Sequence, residues 1–279
     1  MVVIPTVRPR ARPRIVPEVA ALALLVALPP HPHARETVDI GVEDAAAPWS
    51  QADGTGYAND IVRAAFDAVG ADVRLHVLPY ARCKQYVLTG ELVACVSMSP
   101  APELRGVVRF SAQPLFVFTC EFFENPARPL PRRLEEFPVG TRVGTVIGYE
   151  YPPEMLERLR RRGAVFEATA TEELNLRKLA AGRIDAATVN RDAVKAPAWV
   201  VARAGVTGRV RSALQVGATP AYIGFSLARP DGGALADRFD AGYARLIASG
   251  ARDRIQRAWI ARNSAPAGSA AAGSASAGL

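Results

Sequence analysis

Apolar and polar positions along the chain lay out two successive series of strands and helices. Thr37–Val42 alternates as a strand does, and Ile61, Val62, Ala65, Phe66 and Val69 fall on one face of a helix that Gly70 ends. Val73–Leu78 is the next strand. Strand, helix and strand in that order call for a parallel sheet with helical crossovers. Tyr80, Cys83 and Val87 keep helical spacing through Leu88, with Gly90 as a left-handed stop. Leu92–Val96 is an unbroken apolar run, the pattern of a strand covered on both faces.

Leu115–Phe122 follows as a long apolar strand suited to cross between two halves of the molecule, and 125–138, rich in Pro and Arg, reads as surface connection. The second series predicts strands at Arg142–Ile147, Ala164–Ala168 and Ile184–Val189. It predicts helices from Pro152-Pro153 and over Glu172–Ala181, the latter capped by Thr169 or Thr171. A short helix over Asp192–Ala196 and a strand over Trp199–Ala202 come next. Tyr222–Leu227 forms the return crossing. Leu235, Phe239, Tyr243 and Leu246 line one closing helix, and Ile255 and Trp259 another. Leu88–Val96 and Leu179–Val189 resemble one another, each a helix end, a Gly and a strand, which suggests two units of one design facing a common cleft.

The chain has 279 residues, 49% of them hydrophobic and 22% charged, enough for two lobes with ordinary cores. Its beginning is different. Arg8, Arg10, Arg12 and Arg14 precede the apolar Val19–Leu28, and Pro29 to Ala34 then breaks the run and ends on a small residue. That order predicts a cleavable export signal over 1–34 and a periplasmic destination; the run is too short to span a bilayer. The tail 264–279, built chiefly of Ala, Gly and Ser, cannot bury a core and is expected to be disordered. Without 1–34 the net charge of +7 drops to about +4, and the arginines are spread over helices such as Glu157–Arg162, so bulk charge gives no ground for nucleic-acid binding.

Cys83, Cys95 and Cys120 permit one disulfide and leave one thiol, with the pairing open; none stands at a lipidation position. No metal-ligand spacing or cofactor motif is present. His31 and His33 fall in the expected signal, and His76 alternates with Leu75 and Val77 toward solvent.

Candidate chemistry gathers at the carboxyl ends of the strands, where open α/β sheets bind ligands. Ser97, Ser99 and Arg105 follow the Leu92–Val96 strand as a small anion-recognition cluster. Gly148 and Tyr149 lie between a strand and a helix, where backbone N–H groups favour an anion. Glu43 and Asp44 end the first strand.

The order Gly56-Tyr57, Asp60-Ile61, Pro79-Tyr-Ala-Arg82, Pro102-Glu103 to Arg105, Phe110-Ser111 to Pro114, Arg142-Val-Gly144, Gly148-Tyr149, Leu179–Asp185 and Tyr222–Ser226 resembles the bacterial extracellular solute-binding proteins of family 3, over about Val38 to Ile260. The resemblance implies an α/β Venus-flytrap fold of type II periplasmic binding proteins. Its first lobe would be 35–117 plus 224–263 and its second 118–223, closing on a solute by a hinge. It implies a monomer that hands a small polar, anionic or amino-acid-like solute to the permease subunits of an ABC importer in the inner membrane, with no covalent chemistry. Arg105 would grip a carboxylate, or stand as a surface arginine in a turn. Trp49 would lie against the ligand, or pack in the core; Tyr80 and Arg82 would reach the cleft from a helix start, or Tyr80 would be core. Asn190 stands where amino-acid binders carry an Asp for the ligand ammonium, and Val93 replaces a frequent Asp, which departs from an α-amino-acid site. The alternatives are a dehydratase-like enzyme of the same fold acting on a small carboxylate through Glu43, Asp44 or Glu150, and a soluble sensor or accessory binding protein.

Overall fold

The computed structural model describes residues 1–2 and 35–264; the expected export signal, apart from its first two residues, and the tail beyond 264 lie outside the described residues. The framework is one βαβαβ unit used twice. The first unit is β1 (Glu36–Glu43), a ribbon of β2 (Ala45–Ala46) and β3 (Ser50–Gln51), α1 (Tyr57–Asp67), β4 (Ala71–Leu78), α2 (Tyr80–Thr89) and β5 (Ala94–Met98). The short β6 (Val108–Phe110) and the long β7 (Phe116–Glu124) lead to the second unit. This is β8 (Arg142–Val146), α3 (Pro153–Arg161), β9 (Val165–Thr169), α4 (Glu172–Ala180) and β10 (Ala186–Arg191). Then come α5 (Pro197–Arg203), β11 (Arg211–Ser226), α6 (Gly232–Ala248) and α7 (Ala251–Ser264).

In each unit the first strand lies between the other two and parallel to both: β4-β1-β5 and β9-β8-β10. The resemblance between Leu88–Val96 and Leu179–Val189 is therefore a repeat in topology. Gly90 (φ 80°) and Gly182 (φ 67°) take left-handed turns at equivalent helix ends. β11 joins the two half-sheets. Its Arg211–Ala221 stretch pairs antiparallel with β7, and its Tyr222–Ser226 stretch pairs with β5 and β6. Each half-sheet is covered on both faces. One face of the first packs on α1, α6 and α7 through Ile61, Phe66, Phe225 and Phe239, and the other on α2 through Cys83, Val87 and Met98. The second half-sheet is sandwiched likewise, with Leu176 and Leu179 of α4 on one side and Met155 and Leu159 of α3 on the other.

Several expectations are corrected. α1 begins at Tyr57, four residues early, because the ribbon caps it: Tyr57 N–H bonds to the Pro48 carbonyl and Ala58 N–H to that of Trp49, both at 3.0 Å. Gly56 admits this approach, since a Cβ there would lie 2.3 Å from the Trp49 oxygen. Asp192–Ala196 is not a helix. The Asp192 carboxylate accepts from the N–H groups of Val194 and Lys195 and holds a turn. Trp199–Ala202 is helical rather than a strand, started by Pro197 in the first turn of α5, since an apolar run without turn signals fits either element. β5 and β10 start two residues later than expected, and β11 extends eleven residues further upstream than the predicted return strand. Thr171, not Thr169, caps α4 by accepting from Leu174 N–H. His76 is half-exposed on the edge strand, with Nε2 2.6 Å from the Asp39 carboxylate.

Cys83 of α2 and Cys95 of β5 are joined, their Cα atoms 5.8 Å apart, and Cys120 is a buried free thiol. The bridge closes a short loop, so removing it as Cys83→Ser/Cys95→Ser is expected to cost about 3 kcal/mol in denaturant unfolding. A loss under about 1 kcal/mol would mean that packing of α2 alone holds the helix to the sheet.

Candidate functional site

Four strand ends converge on one cavity. β1 delivers Glu43, β5 delivers Ser97 and Ser99, the segment after β8 delivers Tyr149 and Glu150, and β10 delivers Asn190. Aromatic rings complete the lining: Trp49 from the ribbon, Tyr80 from the first turn of α2, and Phe116 and Phe118 from β7. The cavity, partly open to solvent, has a volume of about 20 Å³, room for little more than an ordered water.

Each wall is positioned by local chemistry. Ser50 donates to the Glu43 carbonyl and accepts from Asn59 of α1, which fixes the ribbon behind Glu43. Trp49 stacks on Phe116 with ring centroids 4.7 Å apart. At Ser97, β5 slips register against β11 between Cys95 and Met98, and Ser97 adopts φ 66°. A bulge with a left-handed non-glycine residue re-aims a side chain, and the Ser97 hydroxyl has no protein partner. Ser99 donates to the Pro220 carbonyl of β11 at 3.0 Å.

Polar contacts draw the two half-sheets together across this space. Tyr80 OH donates to Glu150 Oε2 at 2.5 Å, and the Lys84 ammonium bonds Glu150 Oε1 at 2.8 Å and the Gly148 carbonyl at 2.6 Å. Tyr149 OH donates to Glu43 Oε1 at 2.7 Å, and its ring meets that of Tyr80 edge-on. Behind Glu43 lies a buried ion pair, Lys195 Nζ to Glu172 Oε2 at 2.5 Å, with the ammonium 4.3 Å from the centre of the Trp49 ring. Glu172 also accepts from Asn190 N–H, while Asn190 Oδ1 is buried without a partner.

Burial governs the ionisation here. It pushes the Glu43 carboxyl up to about 8, against the Tyr149 hydrogen bond and the nearby Lys195. Burial also raises Glu172 in spite of Lys195, and Asp192 in spite of its backbone hydrogen bonds. The Tyr80 and Tyr149 hydroxyls are held neutral by burial and by the carboxylates beside them.

Of the expected site residues, Glu43, Trp49, Tyr80, Ser97, Ser99, Tyr149 and Asn190 surround the cavity. Trp49 and Tyr80 are also core residues, so the two readings of each coexist. Asp44 opens on a separate surface groove with Arg177 and Arg203. Arg82 is exposed on α2. Arg105 is exposed after a 3₁₀ turn, in a groove with Pro102 and Phe110, and does not reach the cavity. Gly148 contributes its carbonyl to Lys84. No helix N-terminal anion site forms beside it, because Tyr149 N–H bonds the Val146 carbonyl and α3 opens on Pro152-Pro153, which carry no N–H. Sequence reasoning missed Lys195, Glu172, Lys84, Phe116 and Phe118. One signal was available: of 34 basic residues only three are lysines, and Lys84, Lys178 and Lys195 all pair with a glutamate. A compact ammonium fits where a guanidinium would not. Among the described residues no group of metal-binding side chains occurs, and no helix is long and apolar enough to cross a membrane.

Two βαβαβ units joined by exchanged strands, with a cavity between their strand ends, define the two-lobed fold of type II periplasmic binding proteins. Solved structures agree. An ancestral arginine-binding protein bound to arginine matches with TM-score 0.69 and 18% identity, over 81% of this chain and 99% of that one. A histidine kinase sensor domain with similarity to periplasmic binding proteins matches at 0.68 and 21%, over 81% and 96%. An amino acid ABC transporter substrate-binding protein from Streptococcus pneumoniae, bound to L-arginine, matches at 0.65 and 14%, over 81% and 95%. No protein-family model and no curated protein sequence matches the chain.

Because the Glu43 carboxyl is raised from 4.5 to about 8, the folded state holds a proton that the unfolded chain loses between those values. The Glu43 contribution is therefore favourable below the unfolded value and is lost as pH rises through about 8. Denaturant unfolding from pH 5 to 9 is expected to show the protein losing stability relative to Glu43→Gln across that window. A constant difference would place an ionised carboxylate at 43 throughout.

Proposed function

We propose that the protein is an extracytoplasmic solute-binding protein of the family 3 type, which captures a small polar solute between two lobes. The lobes are 35–117 with 224–263, and 118–223, hinged at β7 and β11. An export signal at the N-terminus carries the chain to the periplasm, where it acts as a monomer and delivers its solute to the permease subunits of an ABC importer. One observation carries this reading: three side chains that line the cavity between the strand ends carry a buried polar atom without a partner, Trp49 Nε1, Ser97 Oγ and Asn190 Oδ1. Buried polar atoms in native proteins are almost always paired, and a solute supplies the partners these three lack.

The present space is too small for a solute, so entry requires the Tyr149–Glu43 and Lys84–Glu150 contacts to part and re-form around it. A ligand that binds the closed arrangement better shifts the population toward it. Capture calls for no bond to be made or broken, and Glu150 is already engaged by Tyr80, Lys84 and the Ser99 N–H, so we assign it a clasping role rather than that of a catalytic acid. The amino-acid-like class of the solute draws support from the arginine bound in two of the matched structures. An anionic solute loses its main support with Arg105 outside the cavity.

A thermal-shift screen of amino acids, amines, organic acids and sugars tests this directly. A solute at a hundred times its dissociation constant is expected to add about 2.7 kcal/mol of stability. The gain should shrink in Asn190→Ala, which removes an unpartnered atom without opening the fold. A solute whose effect is the same in Asn190→Ala binds elsewhere.

A further inference from the structure

We propose that Glu43 is an exchange site: the empty cleft keeps a proton there, and capture releases that proton in favour of a positively charged nitrogen on the solute. The solute class is thereby a small organic cation with N–H donors, an amine or a guanidine, that needs no carboxylate for recognition. This rests on the solute-capture reading above and names its ligand.

The charges around the cavity are one positive short. Glu43, Glu172 and Lys195 are all buried, and the single ammonium is bonded to Glu172. The groups that face Glu43 are the Tyr149 hydroxyl from the segment after β8, Lys195 from the turn after β10, Glu172 from the start of α4, Tyr80 from α2, and its neighbour Asp44. Among these only Lys195 is a cation, and it is taken. The other carboxylate at the cavity, Glu150, already has Lys84 and Tyr80. An isolated carboxylate in such a place either binds a proton or meets a cation.

The rest of the lining fits a donor of hydrogen bonds. Among the described residues it includes no arginine or lysine that would receive a carboxylate; of its unpartnered atoms Asn190 Oδ1 accepts, Ser97 Oγ can accept, and the Trp49 indole N–H is the one obligate donor. The protein's own Lys195 already holds an ammonium against the Trp49 ring, so a cation beside these rings and carboxylates has a counterpart within the molecule. The exchange balances in atoms and charge. The neutral Glu43 carboxyl gives its proton to water, and the carboxylate so formed accepts from the solute's N–H groups, leaving the pocket with the same net charge before and after.

The test is calorimetric titration of the full protein with ethylammonium, putrescine, agmatine and guanidinium, beside tetramethylammonium and propionate, at pH 6, 7 and 9 in buffers of different ionisation enthalpy. Amines or guanidines are expected to bind with close to one proton released at pH 6 and 7. Affinity should rise about tenfold per pH unit up to the Glu43 transition and level off beyond it. Glu43→Gln, an isostere of the protonated acid that keeps a carbonyl for Tyr149, should bind at least about tenfold more weakly at pH 9 and show no such slope. Preferred binding of propionate or tetramethylammonium would overturn the ligand class while leaving solute capture intact. Cation binding without proton release, or with an unchanged slope in Glu43→Gln, would overturn the exchange. Binding by no compound here and by none in the broader screen would overturn the capture reading itself.

Discussion

Everything about this molecule follows from one strand that belongs to two sheets. β11 is sixteen residues long, and its halves pair with different partners, β7 on one side of Ala221 and β5 with β6 on the other. Together with β7 it is the covalent and hydrogen-bonded link between two otherwise separate βαβαβ units. Each unit has its own two-sided core, with Val194 and Tyr149 of the second unit reaching into the clusters of the first. The arrangement also aims the carboxyl ends of both parallel sets at the same space, so the cleft is a consequence of topology before any side chain is chosen.

What the side chains add is a polar closure. Lys84, Tyr80 and Ser99 from the first half-sheet meet Glu150 from the second, and Tyr149 reaches back to Glu43. Each such contact replaces one made with water, so its net contribution to holding the halves together is about 1 kcal/mol. Set against them are groups that closure leaves wanting: a neutral Glu43 and two unpartnered oxygens. A cleft with unmet hydrogen bonds at its centre and satisfied ones at its rim rewards whatever fills the centre. The matched folds include a transporter component and a sensor domain, so the fold alone does not choose among uses. The choice lies with the site.

The fold was largely legible because both units announce themselves locally. Gly70, Gly90 and Gly182 end helices, and the apolar runs after Gly90 and Gly182 are strands buried on both faces, while β4 after Gly70 is a half-exposed edge strand. The failures fall where tertiary contacts override local pattern. Tyr57 to Asp60 looks like a turn but is helical because the Trp49 ribbon caps it. Val200-Val201 looks like a strand but packs as a helix behind Pro197. Arg211–Pro220 carries too little alternation to read, and its partner β7 supplies the order. The site divides the same way. Residues at strand ends, such as Glu43, Ser97 and Asn190, were accessible to reasoning from sheet geometry. Lys195 and Glu172 were not, since only the folded chain brings a turn and a helix start behind Trp49, and Arg105 shows how a plausible residue after a 3₁₀ turn is placed by packing elsewhere.

The central claim is that the two halves are bodies that open and close about β7 and β11 around the cavity. Spin labels at Gln85→Cys on α2 and Glu154→Cys on α3, both exposed, would report it through their distance distribution. The account predicts two populations in the free protein, weighted further toward the longer distance when Glu150→Ala breaks the clasp, and collapse onto the shorter one with any solute that raises the melting temperature. A single distance, unmoved by the substitution and by the solute, would contradict it.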